Sequence, residues 1–160
     1  MKKLIASSII GLGLMSELFA ADCIMVADLN VEFKNDSTVY MNNAERQEIV
    51  EFAKFLKDTG LYAVVEGHTS KYAAAPYNYE LSSKRAVKVR SELISLGVKS
   101  TQVRAMGFGE SSPLYDNNTE MGAQKNRRVI AEVFNDSGEL NSYISSEKAR
   151  ISKIKYTEQD

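Results

Sequence analysis

Leu61-Tyr62-Ala63-Val64-Val65-Glu66-Gly67-His68-Thr69-Ser70 is an apolar run that breaks at a glycine and turns polar. Leu61 to Glu66, rich in β-branched and large apolar side chains, predicts a strand. Gly67 to Pro76 predicts a loop. Pro76 lacks a backbone donor and disfavours helical geometry at Ala75, so a helix is expected from near Tyr77. Leu81, Ala86, Val89, Leu93, Ile94 and Leu96 give that helix one buried face, and Gly97 stops it.

The same reading extends outward from this strand–loop–helix unit. Upstream, Asp28 to Lys34 alternates with Leu29, Val31 and Phe33 on one side, as a half-buried strand does. Asn42 or Asn43 is placed to cap a helix whose Ile49, Phe52, Ala53, Phe55 and Leu56 recur at helical spacing through about Asp58. Gly60 ends it. Downstream, Gln102 to Gly107 reads as a third strand. An irregular loop follows through about Gly122, opened by Gly107, Gly109 and Pro113. Arg127 to Phe134, with Val129, Ala131 and Val133 alternating, reads as a fourth strand. Helices that must cover an apolar sheet face make an α+β fold, a two-layer α/β sandwich of order βαβαββ. It occupies residues 22–135. Residues 136–160 read as a polar C-terminal tail in which Ile144, Ile151 and Ile154 offer a short helical stripe.

The N-terminus reads differently. Lys2 and Lys3 precede an apolar stretch from Leu4 to Met15, and Ala20-Ala21 offers a small-residue cleavage site. Residues 1–21 are therefore expected to be a secretory signal peptide. The alternative, an uncleaved anchor, needs to cross a hydrocarbon core of about 30 Å, whereas twelve helical residues span about 18 Å. No transmembrane segment is expected in the mature chain. Cys23 is the single cysteine; Asp22 before it does not suit lipidation, which leaves a free thiol or an intermolecular bridge. The net charge of -1 creates no field that would favour nucleic acid.

Several chemistries lack their residues. One histidine and one cysteine make no His/Cys metal centre, and no cofactor is expected. Gly107-Phe108-Gly109-Glu110 lacks the third glycine and following helix of a phosphate loop. His68 is the only histidine available as a base and is read as a structural residue bonded to backbone. A hydrolase using His68 with Glu66 or Ser70 is the minor reading. No catalytic residue is expected.

The informative residues are Arg85, at the start of the second helix, the loop before it, and Asn126-Arg127-Arg128-Val129. If the sandwich gathers them, a guanidinium and free backbone N–H groups face one pocket suited to a carboxylate. Arg85 reads equally well as a surface arginine or as one partner of a local ion pair with Glu80 or Glu92.

Gly67-His68-Thr69, Tyr77-Asn78, Leu81-Ser82 with Arg85-Ala86, Gly107-Phe108-Gly109-Glu110 with Pro113, and Asn126-Arg127-Arg128-Val129 together resemble the OmpA-like peptidoglycan-binding domain, over about residues 28 to 134. The resemblance implies non-covalent binding of the diaminopimelate of the wall's stem peptide. It implies that Arg85 grips a ligand carboxylate, with Asn78 beside it, Thr69 lining the pocket, and Arg127 and Arg128 as a basic pair nearby. It departs at Ser70, where the family loop reads Gly-His-Thr-Asp, and at Lys34, where an aspartate is usual. A neutral hydroxyl in place of a carboxylate is expected to weaken recognition of the ligand's ammonium, about ten- to a hundredfold. Asn35 and Asp36 follow closely and complete the expected ligand-binding set with Ser70. The expected location is the periplasm of a Gram-negative bacterium, associated with the outer membrane or cell wall. Peptidoglycan is the expected partner, and other cell-envelope proteins are a second candidate. The alternative function is a periplasmic protein–protein interaction module that keeps the fold and has lost wall binding.

Overall fold

The computed structural model describes residues 28–153. The expected signal peptide, Cys23 and Ile154 lie outside the described residues. Among the described residues four strands and four helices alternate: β1 (Asn30–Glu32), α1 (Ala44–Thr59), β2 (Tyr62–Gly67), α2 (Ala75–Ser95), β3 (Val103–Gly107), α3 (Glu120–Asn126), β4 (Arg128–Phe134) and α4 (Ser137–Lys153). The sheet order is β1-β4-β2-β3. β4 runs antiparallel to both β1 and β2, and β3 runs parallel to β2. The βαβαββ sandwich expected from the sequence is therefore present, with two helices added to it.

Alternation along the strands sorts the side chains onto two faces. Val31, Ala63, Val65, Val103 and Val129 join Ile49, Phe52 and Leu56 of α1 and Ala86, Val89 and Leu93 of α2 in one core. The opposite face carries Glu66 and Phe134, and α4 packs there. Tyr143 donates its hydroxyl to Glu66 Oε1, and its ring lies 5.1 Å from that of Phe134. Leu140 and Ile151 are buried on the inner side of α4. The segment read as a polar tail is thus a 17-residue helix on the second face of the sheet. Its composition is polar because only that narrow inner stripe meets protein.

Two boundaries differ from expectation for stated reasons. α2 begins at Ala75, two residues early, with Pro76 inside its first turn. First-turn N–H groups have no intrahelical acceptor, so a proline there loses nothing, and Ala74 takes the extended geometry (ψ 136°). α3 covers the end of the stretch read as loop and the four residues after it, for which no element was expected. Seven residues containing a glycine show no periodicity; the legible sign was Thr119, whose hydroxyl accepts from Gly122 N–H. Gly60 closes α1 in the left-handed region (φ 69°), as expected, and its N–H bonds Leu56 O.

β2 and α2 touch closely at Gly67, where a Cβ would lie 1.9 Å from the Ser82 carbonyl oxygen. Gly67→Ala is expected to lower stability by at least about 1 to 3 kcal/mol, because neither backbone can yield. The urea midpoint checks this; an unchanged midpoint contradicts the contact.

Candidate functional site

A cleft of about 380 Å³ opens where the β1–α1 loop, the β2–α2 loop, the first turns of α2 and the residue before β4 converge. Asn35, Asp36, Thr69, Ser70, Asn78, Arg85 and Arg127 all line it, together with Tyr72, Ala73, Tyr77 and Leu81. Seven of the eight expected site residues are therefore brought together.

Arg128 is not among the residues lining the cleft. Register pairs it with Glu32 and alternation turns its side chain toward the α4 face. There it is buried, donating to Asn126 Oδ1 (3.3 Å) and Ser112 O (3.2 Å). The Lys34 side chain is exposed, and its carbonyl is what reaches the site.

Arg85 sits at the floor and is fully buried. Its Nε donates to Ser37 O (2.9 Å), Nη1 to His68 O (3.2 Å) and Nη2 to Lys34 O (3.1 Å). It forms neither surface ion pair that spacing allowed; Glu80 pairs with Lys84 instead. Burial, and next the positive charge of Arg127, lower its pKa to about 10, so it stays cationic at neutral pH. Three of five N–H groups are spent on main-chain carbonyls, leaving one on each terminal nitrogen.

Arg127 is only half-buried and presents the more accessible guanidinium. Its Nε donates to Gln124 Oε1 at 3.0 Å, and Nη2 shares the same acceptor. Both Nη1 protons remain. Asp36 is the one acidic side chain among the described residues lining the cleft. It adopts a left-handed backbone (φ 47°), and the Tyr77 hydroxyl donates to its Oδ1. Thr69 Oγ1 is buried on the wall without a partner. Asn78 spends its amide protons on Ala73 O and Glu110 Oε2, so its oxygen is what it can offer. The cleft therefore offers two guanidiniums and one carboxylate, a pattern that fits a zwitterion.

Matches to known proteins identify the family and the fold. The OmpA family matches residues 32–127. The chain belongs to the OmpA family. It is 40% identical over 108 residues to outer membrane porin F of Pseudomonas aeruginosa, covering 66% of this chain and 30% of that protein. It is 31% identical over 107 residues to the peptidoglycan-associated lipoprotein of Buchnera aphidicola, covering 62% of each. The chain thus spans less than two thirds of either relative. Among solved structures, the peptidoglycan-associated lipoprotein from Burkholderia pseudomallei superposes with a TM-score of 0.62 at 27% identity, covering 66% of this chain and 89% of that one. The C-terminal domain of Helicobacter pylori MotB gives 0.61 at 25%, covering 76% and 95%. The family match ends at Arg127, so β4 beyond it and α4 lie outside the matched span.

In this OmpA-family chain, the Gly-His-Thr segment serves both faces. His68 points away from the cleft, stacks on Phe108 at 5.2 Å and lies among the α4 contacts. Its ring bonds to nothing, contrary to the expected backbone bond: both nitrogens are buried without partners, and Nε2 is 3.7 Å from Glu66 Oε2. Only its main chain is held, its N–H donating to Arg128 O. Glu66 and His68 do share a face, as a hydrolase would need, but Ser70 lines the cleft instead. Tyr72 and Gln124 went unnoticed in the sequence. Gln124 lies between the loop read through about Gly122 and the strand expected from Arg127, and nothing in its neighbours marks it.

Burial holds the His68 pKa below its ordinary value, so the folded state keeps the ring neutral while the unfolded chain takes up a proton near pH 6.5. Below that pH the unfolded state binds more protons, so stability is lost as pH falls from about 6.5 and is fully present above it. The urea midpoint is expected to drop between pH 7 and pH 5, and His68→Phe to flatten that drop. An equal slope in both proteins contradicts a neutral buried ring.

Proposed function

We propose that this OmpA-family domain binds peptidoglycan without covalent chemistry, by holding the zwitterionic end of a diaminopimelate residue in the Arg85–Arg127–Asp36 cleft. The observation that carries the reading is charge placement: two guanidiniums and a single carboxylate line one cavity of suitable size. Arg127 supplies accessible donors to a ligand carboxylate, and Arg85 supplies a fixed positive charge beneath it. Thr69 Oγ1 adds a polar atom that no protein group satisfies.

Asp36 supplies the negative charge that Ser70 cannot. It lines the same cavity as Arg85, is preset by its left-handed backbone, and is oriented by Tyr77. The ammonium half of recognition is thereby retained, on a different loop from the one that carries the family aspartate. The relatives named above support the ligand class: one is called a peptidoglycan-associated lipoprotein and another an outer membrane porin. A periplasmic location at the wall or outer membrane follows from that ligand. The domain acts as a binding module rather than an enzyme; its one histidine faces α4, away from any ligand in the cleft.

Co-sedimentation with purified peptidoglycan tests this. Asp36→Asn removes a charged hydrogen-bond acceptor and is expected to weaken binding about ten- to a hundredfold. Ser70→Asp adds a second carboxylate and is expected to restore binding to Asp36→Asn. Loss of neither affinity nor retention in Asp36→Asn counts against the assigned charge pattern. Absence of binding by the parent favours the interaction-module reading.

A further inference from the structure

The cleft's accessible cation stands on a residue outside the cleft lining. Arg127 follows α3 directly, with a main chain (φ -79°, ψ 65°) that has left helical geometry. Its backbone is fixed by Phe33 N–H, which donates to Arg127 O at 2.9 Å. That contact sets where the side chain starts and leaves its direction open. Like charge from Arg85 across the cleft pushes the two guanidiniums apart, and Glu120 and Glu32 draw Arg127 toward themselves. Without a further tether, the side chain's long stem would follow those pulls and solvation.

Gln124 is that tether. Its Oε1 accepts from both Nε and Nη2 of Arg127. Its Nε2 donates to Glu32 Oε2 (3.1 Å) and to Phe33 O (3.2 Å). Two acceptor roles at the oxygen and two donor roles at the nitrogen fill the amide's capacity and fix which end is which. A flipped amide would place a donor against a guanidinium and an acceptor against a carboxylate. Because the acceptor is neutral, the tether orients Arg127 without cancelling its charge. An acid at the same position would orient it and neutralise it.

We infer that Gln124 is a positioning residue: it anchors one edge of the Arg127 guanidinium to β1, so that Nη1 and the second Nη2 proton face the ligand's carboxylate. This rests on the peptidoglycan reading of the cleft. It adds a specificity determinant in α3, an element that does not line the cleft. A pre-set guanidinium avoids ordering a rotamer-rich side chain at the moment of binding.

The test is calorimetry with the stem peptide L-Ala-γ-D-Glu-meso-diaminopimelate, on the parent, Gln124→Met, Arg127→Ala and the double variant, well below each protein's thermal midpoint. Gln124→Met is expected to weaken binding about three- to tenfold, the range for immobilising one such side chain. In the Arg127→Ala background the same substitution should change nothing, because Gln124 acts through Arg127. An equal loss in both backgrounds, or no loss in the parent background, overturns the inference while leaving the ligand reading intact. No binding by the parent overturns both. Should Arg127→Ala bind below detection, the Arg127 Nε–H resonance decides. Loss of its exchange protection in Gln124→Met supports the tether, and unchanged protection overturns it.

Discussion

One buried guanidinium holds this domain's binding end together. Arg85 lies at the floor with no exposed surface, 5.1 Å from the Phe33 ring, and donates to carbonyls from two different loops. Lys34 and Ser37 flank Asn35 and Asp36, so two of these bonds bracket the segment that carries the cleft's acid. The third reaches His68 and ties that segment to β2. Burying a cation is unfavourable unless its donors are met, and here main-chain carbonyls meet three of them. The cleft is shaped by the same group that gives it positive potential.

The end of β2 at Gly67 explains how one short motif performs two tasks, because the residues after it no longer alternate. Thr69 and Ser70 line the cleft, and His68 turns to the side that α4 covers. Arg127 and Arg128 divide in the same manner, one toward ligand and one into a buried contact with Asn126 and Ser112. The α4 side is apolar and polar at once: Phe108, Glu66 and Tyr143 pack there, and Arg150 lies 5.6 Å above the Phe108 ring. That layer shields the back of the sheet, so the strands that position the cleft have one protein-covered face and one helical core face.

Much of this is legible in the sequence. Periodicity placed β1, α1, β2, α2, β3 and β4, because each buries a continuous face and so carries a repeating apolar signal. The pocket is legible only on condition that the sandwich gathers the end of β2, the start of α2 and the start of β4, and its lining residues come from the family resemblance. Three things show poorly or not at all. α4 is legible only as a short isoleucine stripe in a polar tail, because it buries just Leu140 and Ile151 among polar residues. α3 is about two capped turns, and its glycine is required by the Asp116 carbonyl, 2.0 Å from where a Cβ would lie. The separate fates of Arg127 and Arg128 depend on which face of β4 each residue meets. Adjacent arginines look like a pair until register assigns their sides.

Arg85 also departed from its simplest expected part. A motif names the residue type at a position but does not say how many of its donors are already taken. Here most are, and the neighbouring Arg127 carries the exposed share of the charge. The most direct measurement is an NMR titration of the domain with the diaminopimelate stem peptide, following the arginine Nε–H and Asp36 carboxyl resonances. The account predicts shifts at Arg85, Arg127 and Asp36 with little change at Glu66, His68 or Tyr143. Shifts confined to the α4 side, or a carboxyl at Asp36 that ignores the peptide, would contradict it.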